Sequence, residues 1–341
     1  MSKVKSRIMS GMRPTGKLHI GHYMGVLRNW LEFQYDYDSY FCIADWHALT
    51  TKYNQTENLK EHITDVALDW LASGIDPEKS TIYLQSLVPQ IAELHLLLSM
   101  ITPQNWVERD PTLKDMVKIL RKESDEENQD ISGLVTYGLL GYPVLMSADI
   151  LGFNASLVPV GQDQLAHLEI TRDIARRFNF IYKTDYLKEP QPKLTQTPLL
   201  KGVDGQKMGK SFNNDIKISD SEEETTKKIM RGITDRSRIK RTDPGHPEDC
   251  EVIFEYYKIF ASAELVENVS QECSSAQRGC ADCKKQVASI INDYFRDTRN
   301  KRKEFEENID LVHKIITEGS QKARNAAEEV LKDIKNIMHL Y

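Results

Sequence analysis

Short apolar runs alternate with amphipathic stretches through the first half of the chain. Residues 7–11 (Arg-Ile-Met-Ser-Gly) read as a short strand ending in glycine, and residues 12–16 as a turn marked by Pro14 and Gly16. A helical pattern starts at Leu18, with Ile20, Met24, Leu27, Trp30 and Leu31 on one side. Residues 40–44 form a second buried strand, 59–71 an amphipathic helix stopped by Gly74, and 81–84 a third strand. Residues 157–160 are a further apolar strand, followed by a long helix over 163–178. This alternation predicts an α/β fold with a parallel sheet and crossover helices. Beyond Ser219 the pattern is helical to the end, most strongly over 311–338. Residues 121–130 carry charges and no apolar side chain, which predicts a surface loop.

A chain of 341 residues, 40% hydrophobic, can bury the cores of two domains. A shift to Gly, Lys, Ser and Asn near 205–220 marks the expected boundary. The formal net charge of -6 argues against a protein that wraps nucleic acid non-specifically, so any RNA contact must come from a local patch. Mean hydropathy is -0.50 and no apolar run is long enough to span a bilayer, so no membrane role is expected. Residues 1–7 are basic but lead into no apolar stretch, so a signal-peptide pattern is missing and the expected compartment is the cytoplasm.

The turn at 11–16 leads into Lys17-Leu18-His19-Ile20-Gly21-His22. A strand feeding a glycine-containing turn and a helix start offers free N–H groups to a phosphate chain. Gly21 lets a flat base approach the backbone. His19 and His22, three apart, share a helical face and can donate to phosphate oxygens as charge builds. Far downstream, Asp204-Gly205 precedes Lys207-Met208-Gly209-Lys210-Ser211. Two lysines on a glycine-flanked loop suit a clamp that closes on a polyphosphate.

These residues resemble a family. His19-Ile20-Gly21-His22 is identical to the HIGH signature of class I aminoacyl-tRNA synthetases. Residues 207–211 resemble the family's KMSKS signature, with Gly209 where serine is usual, which removes a hydroxyl and adds flexibility. Taken singly, each motif is also what a capped helix or a solvated basic loop would give; together, in this order, they favour the family. The resemblance implies a Rossmann-type doubly wound parallel sheet over 1–206, with a helical excursion at about 88–145. A mobile signature loop over 207–218 and a helical anticodon-binding domain over 219–341 would follow. It also implies adenylation: an amino-acid carboxylate attacks the α-phosphate of ATP, pyrophosphate leaves with Mg²⁺, and a ribose hydroxyl at the tRNA end then takes the aminoacyl group. His19 and His22 are expected on the triphosphate, and Lys207 and Lys210 on the departing phosphates. Gly11 and Gly21 are expected against adenosine, Arg13 near the phosphates, Asp163 toward the ribose, and Met208 and Ser211 in the ATP-contacting loop. A homodimer is also implied.

The tyrosine and tryptophan branches share one architecture, so the pocket must separate them. Tyr142, Met146 and Asp149 share a helical face, an apolar surface with one carboxylate. That suits an aromatic ligand with a single donor, such as an indole N–H. By resemblance, Met146 stands where bacterial tyrosine enzymes have glutamine, and it is the tryptophan-type choice. Asp149 then matches the acceptor for the indole nitrogen, Tyr142 and Gln164 match contacts to the ammonium, and Met9, His47, Val158 and Val160 match pocket-lining positions. The tryptophan branch of the family is therefore expected, with L-tryptophan and tRNA(Trp) as substrates. The rivals are a tyrosine enzyme, a nucleotide- or RNA-binding paralogue without catalysis, and a general nucleotidyltransferase. The bland readings are an ordinary core methionine for Met146 and a structural histidine for His47.

Cys250, Cys273, Cys280 and Cys283 are separated by 22, 6 and 2 residues, while Cys42 stands alone in a strand. Such a set reads as a metal site, by spacing alone for tetrahedral zinc first and an iron–sulfur cluster second, the bland alternative being four unligated buried cysteines. The spacing resembles a subset of bacterial tryptophan enzymes with a [4Fe–4S] cluster near the anticodon-binding surface, which puts the cluster first and zinc second. Lys227, Lys228, Arg231, Arg236, Arg238, Lys240 and Arg241 form one basic cluster, and Arg296, Arg299, Lys301, Arg302 and Lys303 another. Either could neutralise tRNA phosphates, or be a solvated helix face. Tyr256, Tyr257 and Phe295 could stack on bases or belong to a core.

Overall fold

The computed structural model describes residues 5–111, 113, 116, 135–161, 165–194 and 200–341. Its sheet has five strands: β1 (Arg7–Met12), β2 (Asp38–Ile43), β3 (Ser80–Leu84), β4 (Leu157–Val160) and β5 (Gln191–Leu194). All neighbours run parallel in the order β3-β2-β1-β4-β5. The chain winds outward one way from β1 to β3 and the other way from β4 to β5. The order therefore reverses beside β1, and a crevice opens there at the carboxyl ends of the strands. The parallel sheet is what the alternating pattern predicts, and its order is the Rossmann-type arrangement that the family resemblance implies.

The strands' pleat divides two cores. Ile8, Phe41, Ile43 and Ile82 enter one, with Trp30 stacked on Phe41 at 4.2 Å and meeting Trp70 edge-on at 4.9 Å. Met9, Tyr40, Cys42, Tyr83, Val158 and Val160 enter the other. A two-residue alternation on fully buried strands needs apolar side chains on both faces, and these strands supply them.

The first crossover begins with α1 (Ile20–His22), continues through a π-helical stretch at Tyr23–Leu27 and ends in α2 (Arg28–Asp36). Helices α3 (Asp45–Lys52) and α4 (Leu59–Ser73) lie between β2 and β3, and Gly74 closes α4 in a left-handed conformation (φ 105°). After β3 come α5 (Gln90–Ser99), α6 (Gln104–Glu108) and α7 (Tyr137–Leu151). The Thr136 side chain caps α7, and the Ser147 hydroxyl links it to Thr171 of α8 (Leu165–Tyr182) at 2.9 Å. The charged run at 121–130 lies outside the described residues.

The carboxyl-terminal part is helical: α9 (Glu222–Met230), α10 (Ile253–Phe260), α11 (Ala263–Ser274), α12 (Cys280–Glu307) and α13 (Ile309–Ile337). The helical character expected beyond Ser219 holds except between α9 and α10, where Gly232, Pro244, Gly245 and Pro247 break the helix and a 3-10 turn, Pro247–Asp249, stands. Helix α13 returns to the sheet and covers the outer edge of β3. The approach is so close that a Cβ at Gly319 would stand 1.9 Å from the Ile82 carbonyl oxygen, and Ser320 Oγ accepts the Leu84 N–H at 3.1 Å. An otherwise open sheet edge is closed in this way. Among the described residues, no helix is long and apolar enough to cross a membrane.

Candidate active site

The described residues selected for the nucleotide, Gly11 to His22 and Lys207 to Lys210, lie at the β1 end of the crevice. Gly11 is the fifth residue of β1, and a side chain there would meet Cys42 Cβ and the Cys42 carbonyl, both at 3.2 Å. Arg13 follows the strand and is exposed. His19 then caps α1. Its Nδ1 accepts the His22 N–H at 3.3 Å, while His22 Nδ1 accepts the His19 N–H at 3.3 Å. The two rings lie 3.7 Å apart. Because each Nδ1 is an acceptor, each ring keeps its proton on Nε2 and presents a neutral N–H donor. Burial pushes the His19 pKa down to about 4, opposed by Asp215 and aided by Lys210. Burial, His19 and Lys210 put His22 well below the usual histidine range. The pair therefore donates as neutral imidazoles.

The lysine loop is tied to the same element. Ile20 N–H bonds the Ile216 carbonyl at 2.9 Å and Ile218 N–H bonds the Leu18 carbonyl at 3.0 Å, so the chain after the loop pairs with the chain entering α1. Asn214, 2% exposed, holds the loop from beneath: its side chain accepts the Gly209 N–H at 2.9 Å and donates to Asp204 and the Lys207 carbonyl. Lys210 Nζ donates to the Gly16 carbonyl at 2.5 Å and to Thr15 Oγ1 at 3.2 Å. Burial lowers its pKa to about 8, against the pull of Asp69 and Asp215. Lys207 is exposed, whereas Met208 is buried, its sulfur close to Gly21. Gly209 is extended (φ -166°), a conformation open to any residue, so the expected extra flexibility has no backbone requirement behind it. The backbone of Ser211 lies in the turn Lys210–Phe212.

On the other face of the sheet lie the residues expected around the amino acid. Met9, Val158 and Val160 are buried in the second core, and Met146 is half-buried against it. Asp149, 3% exposed on α7, accepts from Gln85 Nε2 at 2.8 and 2.9 Å and faces His47 Nε2 at 2.8 Å. Gln85 Oε1 in turn accepts the Trp46 N–H at 3.1 Å, so the carboxylate is fixed to the first turn of α3. Tyr142 donates to Asp110 Oδ2 at 2.9 Å, and the His167 ring bonds both Tyr142 and Asp110. Asp163 and Gln164 lie outside the described residues.

Gln85, Asp110, His167 and Asn214 were missed by sequence reasoning. Gln85 had a signal: it is the first polar residue after an apolar strand, where this fold puts its ligand contacts. Asp110 lies in the chain just after α6 and His167 on α8, with no local pattern joining them.

Cys250, Cys273, Cys280 and Cys283 line one pocket with Ile253, Phe254, Tyr257 and Val269. Among the described residues, no three of these sulfurs lie within 4.8 Å of one another. Burial raises the Cys250 and Cys273 thiols and pushes Cys283 up to about 11. The second basic cluster is partly structural. Arg302, 4% exposed, is bound by Asp65 and Asp69, and Arg299 donates to Asn292 and Thr225 at 2.9 Å. Arg238 turns toward Cys273 and the Arg241 carbonyl. Tyr256, Tyr257 and Phe295 are fully buried, so they are core residues and cannot stack on bases.

A parallel sheet with a histidine-capped helix after β1 and a lysine loop docked on it defines a class I synthetase fold. The chain belongs to the tRNA synthetases class I (W and Y) family, whose pattern matches residues 1–296. Its full-length relatives narrow this further. It is 43% identical to the tryptophan–tRNA ligase of Thermotoga maritima, over 98% of this chain and 99% of that protein. It is 39% identical to that of Aquifex aeolicus, over 98% and 100%. Among solved structures, it matches tryptophanyl-tRNA synthetase from Campylobacter jejuni complexed with ADP and tryptophan, with a TM-score of 0.86 and 33% identity over 98% and 100% of the two chains. A tyrosyl-tRNA synthetase from Archaeoglobus fulgidus, at 21% identity and a TM-score of 0.63, shares the fold.

Proposed function

We propose that this enzyme joins L-tryptophan to ATP, releasing pyrophosphate, and passes the aminoacyl group to the terminal ribose of tRNA(Trp). The observation that carries this reading is the docking of the histidine element and the lysine loop on one another at the crevice, through Ile20–Ile216 and Leu18–Ile218. The tryptophan carboxylate is ionised at neutral pH, so attack on the α-phosphate needs positioning and charge stabilisation rather than a general base. Nε2–H donors of His19 and His22 meet the phosphates, with Arg13 near them. Lys207 and Lys210 follow the charge onto pyrophosphate, and Mg²⁺ arrives with ATP as part of the substrate. Gly11 and Gly21 leave room for adenosine, Asp163 serves the ribose, and Met208 and Ser211 complete the loop.

Asp149 favours tryptophan. A buried carboxylate aligned by Gln85 and His47 would accept one N–H beside the apolar side chains of Met9, Met146, Val158 and Val160. Tyr142 and Gln164 serve the ammonium. In this reading 1–206 is the catalytic domain, 207–218 its loop and 219–341 the tRNA-reading domain. Exposed Lys227, Arg231, Arg236, Lys240 and Arg241 supply phosphate contacts. The enzyme is a cytoplasmic homodimer.

The four thiols converging on one apolar pocket support a metal centre. The order of [4Fe–4S] before Zn²⁺ rests on the resemblance in cysteine spacing along the chain. Such a centre would clasp the chain just before α10 to α11 and α12.

The test is ATP–pyrophosphate exchange on pure protein with tryptophan, tyrosine or phenylalanine. Exchange with tryptophan alone is expected. Exchange with tyrosine instead would remove the reading of Met146 and Asp149, and no exchange with any of the three would leave a nucleotide-binding fold without this chemistry.

A further inference from the structure

The helix start that carries His19 is not held by its own turn alone. Leu18 N–H, one residue before the cap, donates to Asp69 Oδ2 of α4 at 2.6 Å. Asp69 is fully buried, and its other oxygen takes Arg302 Nη1 of α12. Arg302 also binds Asp65, one helical turn earlier on α4, through its side chain and through its carbonyl at 3.2 Å, and Glu306 at 2.9 Å. The guanidinium thus pins the Asp69 carboxylate by a charge-assisted bond, in a site where neither can turn to water. Burial pushes the Asp69 carboxyl up to about 6, against the pull of Arg302 and the Leu18 N–H. Lys210 reaches the same stretch from the other side, on Thr15 and the Gly16 carbonyl, and feels the charges of Asp69 and Asp65.

The structure assigns Asp69 as a positioning residue for adenylation, with Arg302 aiming its carboxylate so that residues 15–18 are fixed between the histidine cap and Lys210. This rests on the reading of the crevice as an ATP site. Asp69 touches no reacting atom. It acts through the main chain, setting where the His19 and His22 donors stand relative to the lysine. A misplacement of about 1 Å in such a constellation can cost on the order of 10²-fold in rate. Asp65 provides the internal comparison, because it binds the same guanidinium and the same helix but makes no bond to residues 15–18.

The experiment compares Asp69→Asn, Asp65→Asn and Arg302→Lys with the parent enzyme. The kcat and KM of ATP–pyrophosphate exchange, tryptophan affinity by fluorescence titration and the melting temperature are read on each. The parent rate tests the reaction; the ratios test the assignment. Asp69→Asn is expected to lower kcat by about tenfold or more, with tryptophan affinity unchanged because that pocket lies across the sheet. Asp65→Asn is expected to stay within about threefold while losing similar thermal stability. Arg302→Lys, which keeps the cation but loses the fork, is expected to lower kcat in the same direction and less. Equal kcat losses in the two carboxylate variants, or folded Asp69→Asn at the parent rate, would overturn the assignment. If Asp69→Asn does not fold, an unchanged kcat in Arg302→Lys overturns it.

Discussion

At the scale of single residues, space decides which glycines matter. A Cβ on Gly21 would lie 2.9 Å from His19 Nδ1 and 3.0 Å from Cε1. That ring is buried and held by the reciprocal cap, so it cannot yield without losing the His22 N–H. Gly21→Ala is therefore expected to cut exchange by about 10²-fold and to cost about 1 kcal/mol of stability through the lost cap. Gly209 is the contrast. Its backbone is extended, and a Cβ there would press at 3.1 Å on the ring of Phe212, which is exposed and free to swing away. Gly209→Ser should keep kcat within about threefold of the parent, since the half-buried backbone is in a conformation open to any residue and the neighbouring ring can yield. Steady-state exchange with both variants, beside circular dichroism melts, decides the pair. If Gly21→Ala were as active as Gly209→Ser, the close packing of His19 on the helix start would have no part in catalysis.

At the scale of elements, the loop and the helix start act as one electrostatic unit. Both histidines are neutral near pH 7 and the Asp69 carboxyl titrates below it, at about 6, so Lys210 is the group of this unit that changes charge above pH 7. It faces Asp69, Asp215 and Asp65, which favour its cation, and Lys217, which opposes it. Its folded pKa of about 8 lies below its ordinary 10.5, so between those values the unfolded chain binds more protons and stability rises with pH. Below about 8 the buried ammonium is a cost to the ligand-free fold. Lys210→Met is accordingly expected to raise the melting temperature at pH 7 by roughly 1–3 °C while lowering exchange by about 10²-fold or more. In the parent, kcat/KM for ATP should fall above pH 8 as the free enzyme loses this charge. A lower melting temperature in Lys210→Met would show that the ammonium stabilises the fold. Elements with strong periodicity or a dense motif were legible in the sequence: β1 to β4, α4, α13, the histidine cap and the lysine loop. Strand β5 was not, because Pro192 and its four-residue length disguise it at the sheet edge. Nor were Asp110 and His167, whose partners are distant in the chain, whereas Gln85 had only its place after β3 to mark it. Arg302 was misread as a surface cation because a charge run does not show which member faces a buried carboxylate, although Asp65 and Asp69 stand i, i+4 on an otherwise apolar helix face.

At the scale of the whole molecule, α12 joins the two ends. It begins with Cys280 and Cys283 at the thiol pocket and carries Arg302, bound to Asp69, near its other end. A helix of 28 residues spans about 42 Å at 1.5 Å per residue, so the rod carries the site's geometry out to the proposed tRNA-reading face. The core beneath the sheet also continues without a break into Val252, Ile253, Tyr257, Val287 and Ile291, so the thiol pocket shares apolar contacts with the catalytic half. A metal centre there should then act on stability and tRNA recognition before it acts on adenylate formation. Protein purified without oxygen is expected to hold four iron atoms and four inorganic sulfides per chain. One zinc per chain would replace the cluster and keep the clasp; neither metal would remove both. Cys280→Ser with Cys283→Ser should lower the melting temperature by several degrees, as expected when a bound group that stabilises only the folded state is lost. Tryptophan-dependent exchange in that variant should stay within about threefold of the parent, since the crevice lies at the far end of α12, while tRNA charging falls by about tenfold or more. Equal losses in both reactions would mean that the pocket governs the catalytic fold as a whole and has no separate hold on the RNA-reading surface.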